Sequence, residues 1–104
     1  MENKQLLENQ IFDVLYKIYD PEIPVNIYEL GLIYAVIIND EGDVHIRMTL
    51  TSPNCPAAEL LPPEVEEKVG NVEGVKSIRV EIVWEPPWTP ERMSESAKLE
   101  LGFM

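Results

Sequence analysis

Apolar residues recur at helical spacing near the start of the chain and at alternate positions in its middle. Leu7, Ile11, Val14, Leu15 and Ile18 fall on one face, with Glu8, Asp13 and Lys17 on the other. This spacing predicts a first helix over 4–19, packed on a sheet. Asp20-Pro21 stops it, because a residue before proline is pushed out of the α region. In the proline-broken segment that follows, residues 26–30 are expected to form one short turn. Asn26 serves as its N-cap and Gly31 as its left-handed terminator. Asp20 and Glu22 flank Pro21, and the plainest local reading is a solvated turn with Asp20 as a cap.

Leu32 to Ile38 is a continuous apolar run, consistent with a strand covered on much of both faces. A turn over 39–43 follows, with Gly42 supplying a positive φ. Beyond it Val44, Ile46, Met48 and Leu50 alternate with His45, Arg47, Thr49 and Thr51, the period of a half-buried strand. The two strands read as an antiparallel hairpin whose second strand delivers Thr51 and Cys55 to the sheet's end. Pro56 suits a first helical position, but Pro62 and Pro63 predict a break, with a short turn over 56–61 and a second segment from 63 to about 70. Residues 75–84 predict a third strand with Ile78, Val80, Ile82 and Trp84 on one face and Arg79 and Glu81 on the other. After the prolines between Trp84 and Trp88, Thr89 as N-cap and Pro90 as first residue predict a C-terminal helix over 90–99. The two tryptophans either staple this tail to the body or wall a site. The whole reads as one α+β domain over 1–104, ordered helix-strand-strand-helix-strand-helix. Its three-stranded sheet is expected to have helices packed mainly on one face.

Charge narrows the partners. Nineteen acidic residues oppose eight basic ones, a formal net charge of −11. That field repels phosphate backbones and anionic membranes, so nucleic-acid and membrane binding are not expected, while basic partners or cations are favoured. No apolar run approaches the roughly 18–20 residues a membrane span needs, and Met1-Glu2-Asn3-Lys4 has no signal-peptide character. The single cysteine allows no internal disulfide, and a free thiol is expected in a reducing cytoplasm.

Candidate chemistry centres on that cysteine. At or beside a helix N-cap, Cys55 would face unpaired backbone N–H groups and the positive end of the dipole, which favour thiolate over thiol. A buried, inert cysteine is the competing reading, and the local pattern leaves both open. His45 lies far from the strand's end, so a Cys–His dyad is disfavoured. No CxxC, Walker A, dinucleotide or nucleophile-elbow motif occurs. One thiol, nearby hydroxyls and two carboxylates make a poor enzyme and a fair incomplete metal site.

The long motif Asp20-Pro21-Glu22-Ile23-Pro24-Val25-Asn26-Ile27, with Leu30-Gly31-Leu32-Ile33-Tyr34 and Thr51-Ser52-Pro53-Asn54-Cys55-Pro56, resembles the metal–sulfur cluster assembly factor family. This family was long catalogued as domain of unknown function 59 and includes SufT-like and PaaD-like proteins. The tail from Trp84 to Ser94 is similar to its C-terminal pattern. The resemblance implies a non-enzymatic role in maturing iron–sulfur proteins, as a transient carrier or transfer adaptor. It carries the family's reactive cysteine to Cys55, its acidic loop positions to Asp20 and Glu22, and its threonine to Thr51. Cys55 would be a transient ligand to iron or an iron–sulfur cluster, with none held tightly. Other ligands would come from other chains, a homodimer among them, from a small thiol such as glutathione, or from a client. Partners implied are the assembly machinery and apo client proteins. The alternatives are a pure docking adaptor with a structural Cys55, and a thiol enzyme, disfavoured because no base stands within reach.

Overall fold

The computed structural model describes residues 2–20, 23–51 and 57–102. It is an α+β domain in which β1 (Ile33–Ile38), β2 (Asp43–Met48) and β3 (Ser77–Ile82) form one sheet in the order β1-β2-β3. The helices are α1 (Glu2–Leu15), α2 (Ala57–Gly70) and α3 (Glu95–Leu101), with a 3-10 turn at Pro90–Arg92. β1 and β2 form the expected antiparallel hairpin, closed by a turn in which the Asn39 side chain accepts from Glu41 N and Asp43 N, both at 2.9 Å. Gly42 completes it at φ +92°. β3 runs parallel to β2, and α2 makes the crossover between them.

The alternation of β2 decides which face is buried. Val44, Ile46, Met48 and Leu50 all lie in the core, and Ile78, Val80 and Ile82 pair with the first three across the parallel ladder. Leu7, Ile11 and Leu15 of α1 and Leu61, Val65 and Val69 of α2 cover this face. On the other face His45 Nε2 lies 2.9 Å from Glu81 Oε1, with Arg47 Nε 3.8 Å from the same oxygen. β1 is an edge strand rather than one well covered on both faces. Most of it is half-buried and Ile37 is 52% exposed.

Four element boundaries depart from the sequence expectation. α1 ends at Leu15 because its last turn tightens, with Lys17 N bonding to Val14 O and Ile18 N to Leu15 O. Ile18 O is then free to accept from Ile27 N. α2 runs unbroken through Pro62 and Pro63. Each interior proline costs about 3 kcal/mol. Burying Leu61, Val65 and Val69, all 0% exposed, returns roughly 1.5–3 kcal/mol per side chain, which is comparable. β3 stops at Ile82, and Trp84, expected on its buried face, is 45% exposed. The chain leaves the ladder after Val83, where Pro86 and Pro87 have no donors to continue it.

The C-terminal helix is not one helix over 90–99 but a 3-10 turn and α3. Thr89 makes no side-chain cap, whereas the Ser94 side chain accepts from Ala97 N at 3.1 Å. Met93 between them is extended and buried.

Candidate functional site at the strand-to-helix junction

Because β2 and β3 are parallel, both finish at the end of the sheet where β1 begins. A short run of backbone bonds draws the acidic loop to this end. Ile27 N donates to Ile18 O at 2.8 Å, Leu32 N to Ile27 O at 3.1 Å, and Thr49 N to Leu32 O at 2.8 Å. Tyr19 bridges to Asn26, closing the loop on itself. The turn over 26–30 forms as expected, with Glu29 N donating to the Asn26 side chain at 2.9 Å and Gly31 at φ +84°.

Asp20 is 4% exposed, which overturns the reading of a solvated turn at this position. The Tyr19–Asn26 bridge and the Ile27 N to Ile18 O bond fold the loop back beside Asp20. Thr51 is half-buried, past the end of β2. Cys55 and Glu22 lie outside the described residues, as does the expected helical start at Pro56. α2 opens at Ala57, so β2 and α2 do bracket the cysteine-bearing segment. His45, in the first half of β2, is engaged with Glu81 rather than with this end.

Thr49 was expected to face outward with His45 and Arg47 but is 0% exposed, and its Oγ1 has no hydrogen-bond partner among the described residues. The two ends of the sheet differ in cover. The end holding Thr49 carries the 18–32 loop and the segment that follows β3, whereas the hairpin-turn end carries neither.

That following segment, residues 83–94, forms a strap across the entry to β1. Val83 N donates to Met48 O, the Tyr34 hydroxyl to Pro86 O at 2.7 Å, and Trp88 Nε1 to Leu30 O at 2.7 Å. Ser94 N donates to Glu29 O at 2.8 Å, and the Ser94 hydroxyl to Glu29 Oε1 at 3.1 Å. Asn26 Nδ2 donates to the other Glu29 oxygen at 3.1 Å. The Arg92 guanidinium carbon sits 4.7 Å from the Tyr34 ring centroid. Trp88 is thus the staple of the pair, and Trp84 is not. Beside the turn, Tyr16 and Tyr28 rings lie 4.7 Å apart, and burial, then Tyr28 and Glu29, push the Tyr16 phenol up from its ordinary value.

Sequence reasoning did not single out Glu29, Ser94, Arg92 or Tyr34 for these roles. A polar pair far apart in sequence gives no local signal, although Tyr34, Arg92 and Ser94 belong to the motifs that carried the resemblance. Among the described residues, no three histidine, cysteine, aspartate or glutamate side chains gather to hold a metal ion. The described part of the site is therefore a braced frame around the junction, not a closed metal centre.

The family model for iron–sulfur cluster assembly protein matches residues 8–82. The chain belongs to that family. It is 50% identical over 97 residues to an Fe-S protein maturation auxiliary factor of Porphyromonas gingivalis, covering 93% of this chain and 92% of that one. It is 42% identical over 100 residues to a protein of the same description from Bacillus subtilis, covering 96% and 98%. Its fold is similar to a crystal structure of domain of unknown function 59 from Bacillus anthracis. The TM-score is 0.88 at 40% identity, covering 96% of this chain and 95% of that one. The family and fold that the sequence motifs implied are the ones found.

Proposed function

We propose that this protein matures iron–sulfur proteins by handing on iron or a cluster through Cys55. The observation that carries the reading is the junction. β2 ends at Met48, α2 opens at Ala57, and the segment between them holds the chain's one thiol in a member of the iron–sulfur cluster assembly family. A cysteine just ahead of a helix meets donors and a dipole that favour the thiolate, the form that ligates iron.

Iron or cluster is the cargo. Cys55 is its ligand, Asp20 and Glu22 supply hard oxygen donors or take a proton from the thiol, and Thr51 hydrogen-bonds the thiolate or holds the loop. A single thiol cannot complete a four-thiolate set. The remaining ligands come from the assembly machinery, an apo client, a small thiol or a second copy of the chain. Incomplete ligation lets the cargo leave, so the protein acts by transfer and not by catalytic turnover, in a compartment that keeps thiols reduced.

Anaerobic reconstitution with iron and sulfide, alone and with an apo client, tests this. The wild type is expected to develop a cluster absorption and to activate the client, and Cys55→Ala to lose both. Absence of absorption from the wild type in every combination overturns the carrier role. Client capture that survives Cys55→Ala while transfer does not would separate docking from carriage.

A further inference from the structure

Between the strap and the entry to β1 lies an open pocket of about 430 Å³ lined by Gly31, Ile33, Tyr34, Pro86 and Arg92. It stands at the same end of the sheet as the exit of β2, since Ile33 pairs with Met48. Its size is within the range of roughly 300–1,000 Å³ that small ligands occupy. Its walls combine Ile33, Pro86 and the Tyr34 ring with polar surface and one cation.

The setting of that cation is specific. With acidic residues outnumbering basic ones nineteen to eight, cations here readily meet carboxylates, as Lys68 does Glu64 at 2.8 Å and Arg47 does Glu81 at 3.8 Å. Arg92 makes no ion pair among the described residues, although Glu91 and Glu95 are close in sequence. Its guanidinium is instead seated on the Tyr34 ring. The ring is anchored by the bond from its hydroxyl to Pro86 O, and the Arg92 backbone by its N–H to Thr89 O at 3.0 Å and by contact with Gly31. A stacked guanidinium keeps its in-plane N–H donors available in a fixed fork. An exposed guanidinium seated on an anchored ring, beside Ile33 and Pro86, offers donors that suit a carboxylate on a small carbon framework.

We propose that this pocket binds a small organic carboxylate, which Arg92 grips by its N–H edge, and that this ligand accompanies the iron or cluster cargo. The pocket's purpose rests on the maturation reading; its ligand chemistry does not. Two sources share that chemistry: a polycarboxylate that chelates iron, and a thiol that also bears carboxylates.

Titration of the ¹⁵N-labelled apoprotein at low salt, separately with citrate and with reduced glutathione, tests the proposal without any cluster. At least one ligand is expected to give saturable shifts at the amides of Gly31, Ile33, Tyr34 and Arg92. Arg92→Gln should weaken that ligand about tenfold or more, as loss of a charge-assisted fork implies, and Arg92→Lys less. Saturation by citrate alone identifies the chelator, by glutathione alone the thiol, and by both at the same amides the shared group. Failure of both to saturate, shifts centred elsewhere, or an unchanged affinity in folded Arg92→Gln overturns it. The wild-type shift map decides the matter if that variant does not fold. A failed cluster reconstitution would leave the titration result standing, so the two readings fail separately.

Discussion

Gly31 is the position where backbone conformation and the strap constrain one another most tightly, and Gly31→Ala should be costly out of proportion to its single methyl group. At φ +84° an L-residue costs roughly 1–2 kcal/mol. The added Cβ would stand 2.4 Å from Arg92 O, 2.8 Å from Arg92 C and 2.9 Å from Arg92 Cβ. Ordinary contact begins near about 3.5 Å, so the strap must withdraw by about 1 Å. That displacement takes the Trp88–Leu30 and Ser94–Glu29 bonds, now 2.7 and 2.8 Å, beyond hydrogen-bonding range, at about 1 kcal/mol each. The total is about 3–4 kcal/mol, a large share of the roughly 5–15 kcal/mol that holds a domain of this kind together. Gly102→Ala is the control, since Gly102 has φ +81° with nothing within 4 Å of the added atom. It should lose only about 1–2 kcal/mol. Urea melts followed by circular dichroism and by tryptophan fluorescence, which reports Trp84 and Trp88, measure both variants. Gly31→Ala no less stable than Gly102→Ala, with unchanged tryptophan emission, would refute the steric argument.

Trp88→Phe keeps most of the apolar contact but leaves Leu30 O without its 2.7 Å donor, so a loss of about 1–2 kcal/mol is expected in the same melts. Thr49→Val replaces a buried hydroxyl that has no partner among the described residues with a methyl group. It should stabilise by up to about 1 kcal/mol, and a destabilised variant would show that the hydroxyl is used. Asp43 is held below its ordinary value by hydrogen bonds from Ser77 and Asn39. Its contribution is present above the unfolded-state value and fades as pH falls through the lower, folded one. The wild type should therefore lose stability on acidification relative to Asp43→Asn, a difference read from melting temperature against pH.

The parts of the fold legible from sequence were those decided by local pattern. The two-residue period of Val44, Ile46, Met48 and Leu50 survives intact because only one face of β2 meets the helices. The turns at Asn39–Asp43 and Asn26–Gly31 are built by side chains bonding their own backbone, which sequence can show. What failed was decided at a distance. Pro62 and Pro63 carry a valid break signal, but three buried side chains on one helical face offset it. Thr89-Pro90 is a valid helix start, yet Ser94, docked on Glu29, opens α3 instead. Asp20 beside a proline resembles a surface turn, yet it is buried where the Tyr19–Asn26 bridge folds the loop back. In the candidate site the motif residues were legible as a set, whereas the frame of Glu29, Ser94, Tyr34 and Arg92 was not. Its contacts join positions that share no local pattern.

The family model's match ends with β3, yet the frame around the junction is completed from beyond it. A chain ending at Val83 would lose the bonds that Pro86, Trp88 and Ser94 make to Tyr34, Leu30 and Glu29. It would also lose the burial of Met93 and Ala97, 5% and 2% exposed, and the cover over Leu30, now 0% exposed. The hydrogen bonds contribute about 1 kcal/mol each and a buried methionine about 1.5–3 kcal/mol. The truncated domain should therefore be marginal at best. Its urea midpoint should fall steeply, and amide signals from residues 26–34 should lose dispersion before those of the hairpin turn. If the midpoint matched that of the full chain, the strap would be an appendage. If it collapses as expected, the acidic loop and the entry to β1 are held in place by the C-terminal segment, and the site at the junction is built from both ends of the chain.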